Sequence, residues 1–246
     1  MNLFIALLLA HIVGDFFTQK ESWIQCKIKH KAKSIGLFKH ILVHLTLTSG
    51  VVLVMLAQLP LSTQLSAIAI IVISHYAIDI WKTYQNFTIV SFLTDQSAHL
   101  LVLIAVSLYF AEPDLLALFE SHNKTVFAAL GVLCMYLLAL KPTSLVLFLL
   151  LGKYERTITS DISAGLANVG EYIGYLERIL IITFVLMNSL TAVGFLLAAK
   201  GVFRFGDMRR ETDRKLTEYI MLGTLLSVVI GLLLGRLGVQ ILAWFK

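Results

Sequence analysis

Eight histidine and aspartate side chains in the first 100 residues form four pairs with a spacing of four. The pairs are His11/Asp15, His40/His44, His75/Asp79 and Asp95/His99. Residues at i and i+4 share one face of an α-helix, so each pair can direct both side chains toward one point. Residues 1–110 contain nine Asp and His, and only His30 is left unpaired. None of the four Asp and one His that follow residue 110 is paired in this way.

Imidazole and carboxylate groups are common ligands of zinc, iron and manganese. Each pair lies within or at the end of an apolar segment, where an ionisable group is costly and by default marks a functional site. A bound cation would compensate the eight groups together, so we expect them to ligate one or two divalent ions, zinc first and iron or manganese as alternatives. Two other interpretations remain open: a metal-free proton or ion relay, and interhelical His–Asp hydrogen bonds that only hold the helices together.

Further roles are predicted for two aspartates of the pairs and for three polar residues near them. Asp79 and Asp95 are the best candidates for a general base. Gln19 and Gln96 are expected either to orient the ligands or to bridge neighbouring helices. Lys82 either holds a carboxylate or an anionic substrate, or anchors its helix at the membrane interface.

The composition predicts an all-α, polytopic integral membrane protein. The 246 residues are 58% hydrophobic and 14% charged, with a mean hydropathy of +0.85, whereas soluble domains are about 25% charged. Long apolar runs favour helices over barrel strands, and their lengths indicate about six or seven spans. The net charge of +5 is concentrated in loops, as the positive-inside rule predicts. Aromatic residues are not interleaved with it, so no nucleic-acid partner is expected.

The first four predicted helices form a bundle over residues 1–111 that carries the polar site. They cover about 2–19, 36–58, 64–83 and 88–111. The N-terminal segment has no basic n-region, so it is interpreted as a retained span. The lysine-rich loop after it is expected on the cytoplasmic side, and the acidic segment after the fourth helix outside. All four pairs then lie at similar depth toward the cytoplasm, as ligands do in soluble four-helix metal proteins.

The second predicted region, residues 112–246, contains further membrane helices. An apolar stretch at 142–152 is too short to span and suggests a half-span, which leaves the topology of 142–200 open. Glu177 and Arg178 are interpreted as an intramembrane ion pair or as an interfacial pair. Two GxxxG spacings, Gly170/Gly174 and Gly231/Gly235, permit close helix contact and suggest a homo-oligomer.

Several stretches resemble a family of bacterial membrane proteins known as domain of unknown function 3307. They are AHIVGDFFTQKESW, KHILVH, SHYAIDIWK and TDQSAHL. Three later stretches, GEYIGYLERILI, AAKGVFRFGD and TEYIMLGTLLS, resemble the longer members. The resemblance implies a multi-pass protein of the bacterial inner membrane and implies no particular reaction. A looser similarity to membrane-bound metal-dependent hydrolases rests on the spacing of His and Asp.

Three functions fit this sequence. The first is a membrane-embedded metal-dependent hydrolase that acts on a lipid or lipid-linked substrate near the cytoplasmic face. The second is a di-iron membrane oxidase or hydroxylase, for which HxxxH on a membrane helix is suitable. The third is a metal-ion or proton transporter, for which a half-span would be suitable. Metal content separates them: retained zinc, two irons with visible absorption, or no retained metal.

Overall fold

The computed structural model describes residues 2–110, 113–155, 164–202 and 211–245, with side chains for 2–110, 124–152, 169–202 and 218–245. These ranges are helical almost throughout and contain no strand. The predicted all-α class is therefore confirmed. The chain divides into two compact units, Met1–Cys134 and Met135–Trp244. The division falls inside one helix, whereas the sequence suggested a boundary at residue 111.

Four helices of the first unit enclose the predicted site. They are α1 (Asn2–Ile12, extended by a π-helical turn over Val13–Thr18), α3 (Ile35–Met55), α4 (Leu61–Thr83) and α5 (Ile89–Phe110). Each packs on the next, and α5 closes the ring against α1. A shorter helix, α2 (Glu21–His30), packs on α3.

Five helical segments of the described residues are long and apolar enough to cross a membrane. They are α3, α4, α5, Lys124–Gly152 and Glu218–Trp244. The segments Asn2–Thr18 and Glu21–Lys33 pass the same criterion together but meet at 88°, which makes six if the bent pair is one span. The chain is thus a multi-pass membrane protein, with five or six candidate spans in the described residues where the sequence predicted about six or seven.

The bundle is apolar outside and carries its charges inside. Ile73 on α4 is 67% exposed and Leu108 on α5 is 75% exposed, as residues facing lipid should be. Between the helices, ten buried apolar residues form a core: Leu3, Leu7, Val52, Leu56, Ala67, Ile68, Ile71, Leu103, Val106 and Phe110. This apolar core lies along the helices next to the paired polar residues, because Leu7, Ile71 and Leu103 are one turn from His11, His75 and His99.

The lysine-rich segment was predicted as a loop, and this prediction is wrong for residues 21–33. Glu21–His30 forms α2, and Lys31–Lys33 adds a 3₁₀ turn. Gln25 donates to the Glu21 carboxylate one turn earlier at 2.7 Å. Gly36 at the start of α3 lets α2 approach closely, because a Cβ there would lie 2.6 Å from the Trp23 carbonyl oxygen. The high charge of the segment concealed a helix that tertiary packing stabilises.

The second unit contains the end of α6 (Pro113–Ala139), α7 (Lys141–Glu155), α8 (Ala164–Leu186), α9 (Leu190–Val202) and α10 (Glu211–Trp244). The predicted half-span at 142–152 belongs to α7, which begins one residue after Leu140 and forms one apolar segment with the end of α6. Along this unit, α10 packs against α8.

Glu177 and Arg178 on α8 do not pair with each other, because adjacent helical residues point in different directions. Glu177 pairs with Lys200 at 2.6 Å. Arg178 is 2% exposed and joins three helices. Its guanidinium donates to the Ala139 carbonyl and to two hydroxyl groups, at 3.0 Å on Ser227 and 2.8 Å on Ser144. The predicted pairing of Glu177 with Arg178, intramembrane or interfacial, is therefore wrong: Glu177 pairs with Lys200, and Arg178 makes three hydrogen bonds of its own.

Gly231 and Gly235 make the close contact between α10 and α8 within one chain. A Cβ on Gly231 would lie 3.2 Å from Ile181 Cγ2, and one on Gly235 would lie 2.8 Å from Val185 Cβ. Gly174 instead leaves space for a guanidinium, since its Cβ would lie 3.2 Å from Arg178 Nη1. Three of the four glycines in the predicted GxxxG spacings, Gly174, Gly231 and Gly235, therefore make close contacts within the chain.

Gly235→Ala is expected to destabilise the second unit by about 1–3 kcal/mol, because the added methyl group overpacks the contact with Val185. Gly194→Ala on α9 is the matched control. A Cβ at Gly194 meets nothing within 4 Å, so this change should leave stability unchanged or raise it by up to about 1 kcal/mol through helix propensity. Thermal unfolding in detergent measures both, and equal melting temperatures would contradict the contact.

Candidate metal centre

All eight paired side chains point into the interior of the bundle. His11 lies near the end of α1, and the π-helical turn that follows directs Asp15 inward. The other six come from α3, α4 and α5, two from each helix. None of the eight side chains is more than 9% exposed. The four-residue spacing thus produces the convergence that the sequence predicted.

One carboxylate oxygen, Oδ1 of Asp15, is crowded by three imidazoles. It lies 2.9 Å from Nε2 of His44, 3.4 Å from Nε2 of His40 and 3.6 Å from Nε2 of His75. The other oxygen of Asp15 lies 3.7 Å from Nε2 of His11. These nitrogens are the atoms through which histidine binds metals.

The cluster continues without a break to the remaining two aspartates. Oδ1 of Asp79 lies 3.7 Å from Nε2 of His99, and Oδ1 of Asp95 lies 3.4 Å from the same nitrogen. The His40 and His75 Nε2 atoms are 3.2 Å apart. The His75 ring stacks on His44 with centroids 3.8 Å apart. The five imidazoles and three carboxylates form a single polar core.

Within this core, three overlapping groups have ligand atoms that all lie within 4.8 Å of one another. They are His11/Asp15/His44/His75, His40/His75/Asp79 and Asp79/Asp95/His99. His75 joins the first group to the second, and Asp79 joins the second to the third. Such shared ligands suit two neighbouring ions as readily as one.

The hydrogen bonding of the cluster is incomplete in a way that a cation would correct. Five buried nitrogen and oxygen atoms of the paired residues have no hydrogen-bond partner: Asp15 Oδ1, His40 Nδ1, His44 Nε2, Asp95 Oδ1 and His99 Nε2. Each unsatisfied buried group costs about 1–3 kcal/mol. A divalent ion would bind both types of atom, carboxylate oxygen and imidazole nitrogen, and these donors fit zinc, iron or manganese.

Residues 3–127 match the family model described as protein of unknown function, DUF3307. The chain belongs to the DUF3307 family. The matched region includes all four pairs, while the second unit begins after the match ends. No curated protein and no solved structure matches this chain.

Two lysines of the DUF3307 region complete the cluster at its lysine-rich end. Lys27 Nζ donates to Oδ2 of Asp79 at 2.6 Å, and Lys82 Nζ donates to Oδ2 of Asp95. Lys82 was predicted either to hold a carboxylate or to anchor its helix, and the structure has it holding a carboxylate. Lys27 was missed because its segment was interpreted as a loop. Trp23 and Ile24 lie four and three residues before Lys27, which places all three on one face of a helix. This spacing could have indicated that Lys27 faces inward.

Both predicted glutamines contact the cluster. Gln96 Nε2 lies 3.1 Å from Asp15 Oδ2 and 3.0 Å from Asp95 Oδ2, and its oxygen lies 3.4 Å from His11 Nε2. With its amide oriented so that the oxygen faces Lys27, Gln19 accepts from Lys27 Nζ at 2.8 Å and donates to the Asp15 carbonyl at 3.2 Å. Gln96 therefore links α1 to α5, and Gln19 fixes the lysine that holds Asp79.

A small cavity of the DUF3307 region lies between the imidazoles and the apolar core. Four imidazoles form its polar side: His11, His44, His75 and His99. The other lining residues are Leu7, Ile71, Val102 and Leu103, which are apolar, and Thr48 and Ser74. The cavity thus places candidate metal ligands beside apolar side chains, with room for about one water molecule.

Proposed function

We propose that this DUF3307 protein is a membrane-embedded metal-dependent hydrolase that acts on a lipid or lipid-linked substrate near the cytoplasmic face. The observation that carries the proposal is the environment of the Asp15 Oδ1 atom. Three imidazole nitrogens surround this oxygen within 3.6 Å, yet it has no hydrogen-bond partner. A cation bound among these atoms would satisfy the oxygen and the nitrogens together.

Two sets of side chains would hold the ions. The first contains His11, Asp15, His44 and His75, and the second contains Asp79, Asp95 and His99. His40 lies between them. When bound, a divalent ion such as zinc polarises the substrate oxygen and lowers the pKa of water.

Whichever of Asp79 and Asp95 does not ligate a metal serves as general base in this proposal, accepting a proton from the attacking water. Both are buried in the same cluster as the ligands, so either can reach a water held there. Burial between four helices also excludes bulk water from the reacting groups. A lipid substrate would approach laterally in this proposal, because the outer faces of the helices, such as Ile73 on α4, are apolar and exposed.

The apolar core favours an enzyme over a transporter. Leu7, Ile71 and Leu103 lie one turn beyond the imidazoles, and further apolar residues follow along the same helices. A metal or proton that crosses the membrane needs polar groups or water along its path. The bundle instead fills this level with closely packed hydrocarbon.

A di-iron oxidase is the second candidate, and one observation favours it. Asp79 belongs to two adjacent ligand groups, as a carboxylate shared by two metals does in di-iron four-helix bundles. The histidine-rich first group is more typical of zinc. The metal itself decides between the two.

Metal analysis of detergent-purified protein tests the proposal. We expect about one or two zinc ions per chain, and zinc-dependent hydrolysis when micellar carboxylic esters and phosphoesters of lipids are supplied. Chelation should stop hydrolysis, and zinc should restore it. Retained iron with visible absorption would overturn the hydrolase proposal and support the oxidase. Absence of retained metal, together with metal uptake by proteoliposomes, would overturn the hydrolase proposal and support a transporter.

A further inference from the structure

Lys27 and Lys82 occupy carboxylate oxygens that the candidate metal centre would also use. Lys27 comes from α2, outside the ring of four helices, and its side chain is 11% exposed. Lys82 comes from the end of α4 and its side chain is 35% exposed. Each ammonium group neutralises one buried aspartate, Asp79 or Asp95.

The charges of the cluster indicate what must happen when metal binds. Three aspartates and two lysines leave one net negative charge when the imidazoles are neutral. One divalent ion makes the cluster net positive, and a second ion increases the excess. A buried excess charge surrounded by lipid is costly, so a loaded centre favours an anionic ligand.

The lysines are suitably placed to receive that anion. An ion that takes Oδ2 of Asp79 or Asp95 competes with the ammonium group now bound there. The released ammonium group stays at the centre because its backbone is fixed in α2 or α4. A flexible lysine arm with three donors is a common partner of phosphate.

We propose that Lys27 and Lys82 form the phosphate-binding part of the metal-loaded centre, and that the substrate is therefore a phosphoester. This inference rests on the proposed function, since it requires a bound metal. It narrows the substrate from lipids in general to those that carry a phosphate near the bond that is cleaved.

Calorimetric titration of the detergent-purified protein with inorganic phosphate tests the inference. We expect zinc-loaded protein to bind phosphate at least about tenfold more tightly than zinc-free protein, corresponding to about 1.4 kcal/mol. Lys27→Met and Lys82→Met should each weaken phosphate binding at least about tenfold. Their zinc content should stay equal or rise, because an ammonium group no longer competes for the carboxylate.

Lys29→Met is the matched control, because Lys29 lies on the same helix as Lys27 but is exposed. It should leave phosphate binding unchanged. If Lys27→Met does not fold, Lys82→Met, at the more exposed position, and the charge-preserving Lys27→Arg provide the same comparison. Lys27→Arg should retain phosphate binding.

The outcomes separate the inference from the proposed function. Wild-type protein that binds no metal overturns the proposed function. Zinc-loaded protein whose phosphate affinity is the same in the wild type and both Met variants overturns the inference alone. A short-chain phosphatidic acid should displace inorganic phosphate if the natural group is a lipid headgroup, and its failure to do so would assign the subsite to free phosphate or a soluble phosphoester.

Discussion

Replacing His44 by alanine is expected to lower zinc affinity at least about 100-fold. Removing a partner that only orients a ligand already costs about 10–100-fold, and His44 Nε2 lies inside the first ligand group, 2.9 Å from Asp15 Oδ1. At a fixed zinc concentration near saturation, a 100-fold loss removes about 2.7 kcal/mol of metal-linked stability. Metal content by mass spectrometry and melting temperature in detergent should fall together.

His30→Ala is the control for this prediction. His30 is an exposed histidine of α2, and Cys26 Sγ lies 3.7 Å from its Nδ1. Its replacement should change neither zinc content nor melting temperature. A melting temperature that falls equally in the two variants, with zinc content unchanged, would show that the paired histidines are structural only.

Gly14→Ala is expected to reduce metal binding although it removes no ligand. Gly14 lies in the π-helical turn, and a Cβ there would lie 2.5 Å from Cε1 and Nε2 of His44. The imidazole would have to leave its position beside Asp15. Because displacements of about 1 Å can cost 100-fold in a preorganised site, we expect a loss of at least about tenfold in zinc affinity. Zinc titration followed by metal analysis measures the change.

Gly50→Ala on α3 isolates the steric effect. A Cβ at Gly50 meets nothing within 4 Å, so this variant should bind zinc like the wild type. Retention of full zinc affinity by Gly14→Ala would contradict the predicted role of His44. Loss of zinc by Gly50→Ala as well would indicate that helix composition, rather than the contact with His44, is responsible.

The pairs illustrate what local sequence can predict. Because the helical repeat fixes i and i+4 on one face, His75 and Asp79 had to point together once α4 formed. Because ionisable groups avoid lipid, that face had to turn inward. The same two rules apply to each pair, which is why the convergence of all eight side chains could be predicted without knowing how the helices pack.

The lysines illustrate what the same rules could not predict. Lys27 is separated by 52 residues from its partner Asp79, and no periodicity relates α2 to α4. Its helix depends on packing against α3 at Gly36, so local composition predicted a loop. Arg178 is similar: its partners on α6, α7 and α10 come from distant parts of the chain, whereas proximity in sequence favoured Glu177.

The sequence by itself determined the all-α membrane class and the inward-facing polar pairs, because hydropathy and helical periodicity are local properties. Only the tertiary structure decided which atoms meet. It surrounded Asp15 with three imidazoles and let α2 direct Lys27 to Asp79. It also used Gly231 and Gly235 within the chain. These contacts depend on helix order, rotation and approach, which packing of the whole bundle sets and no single helix encodes.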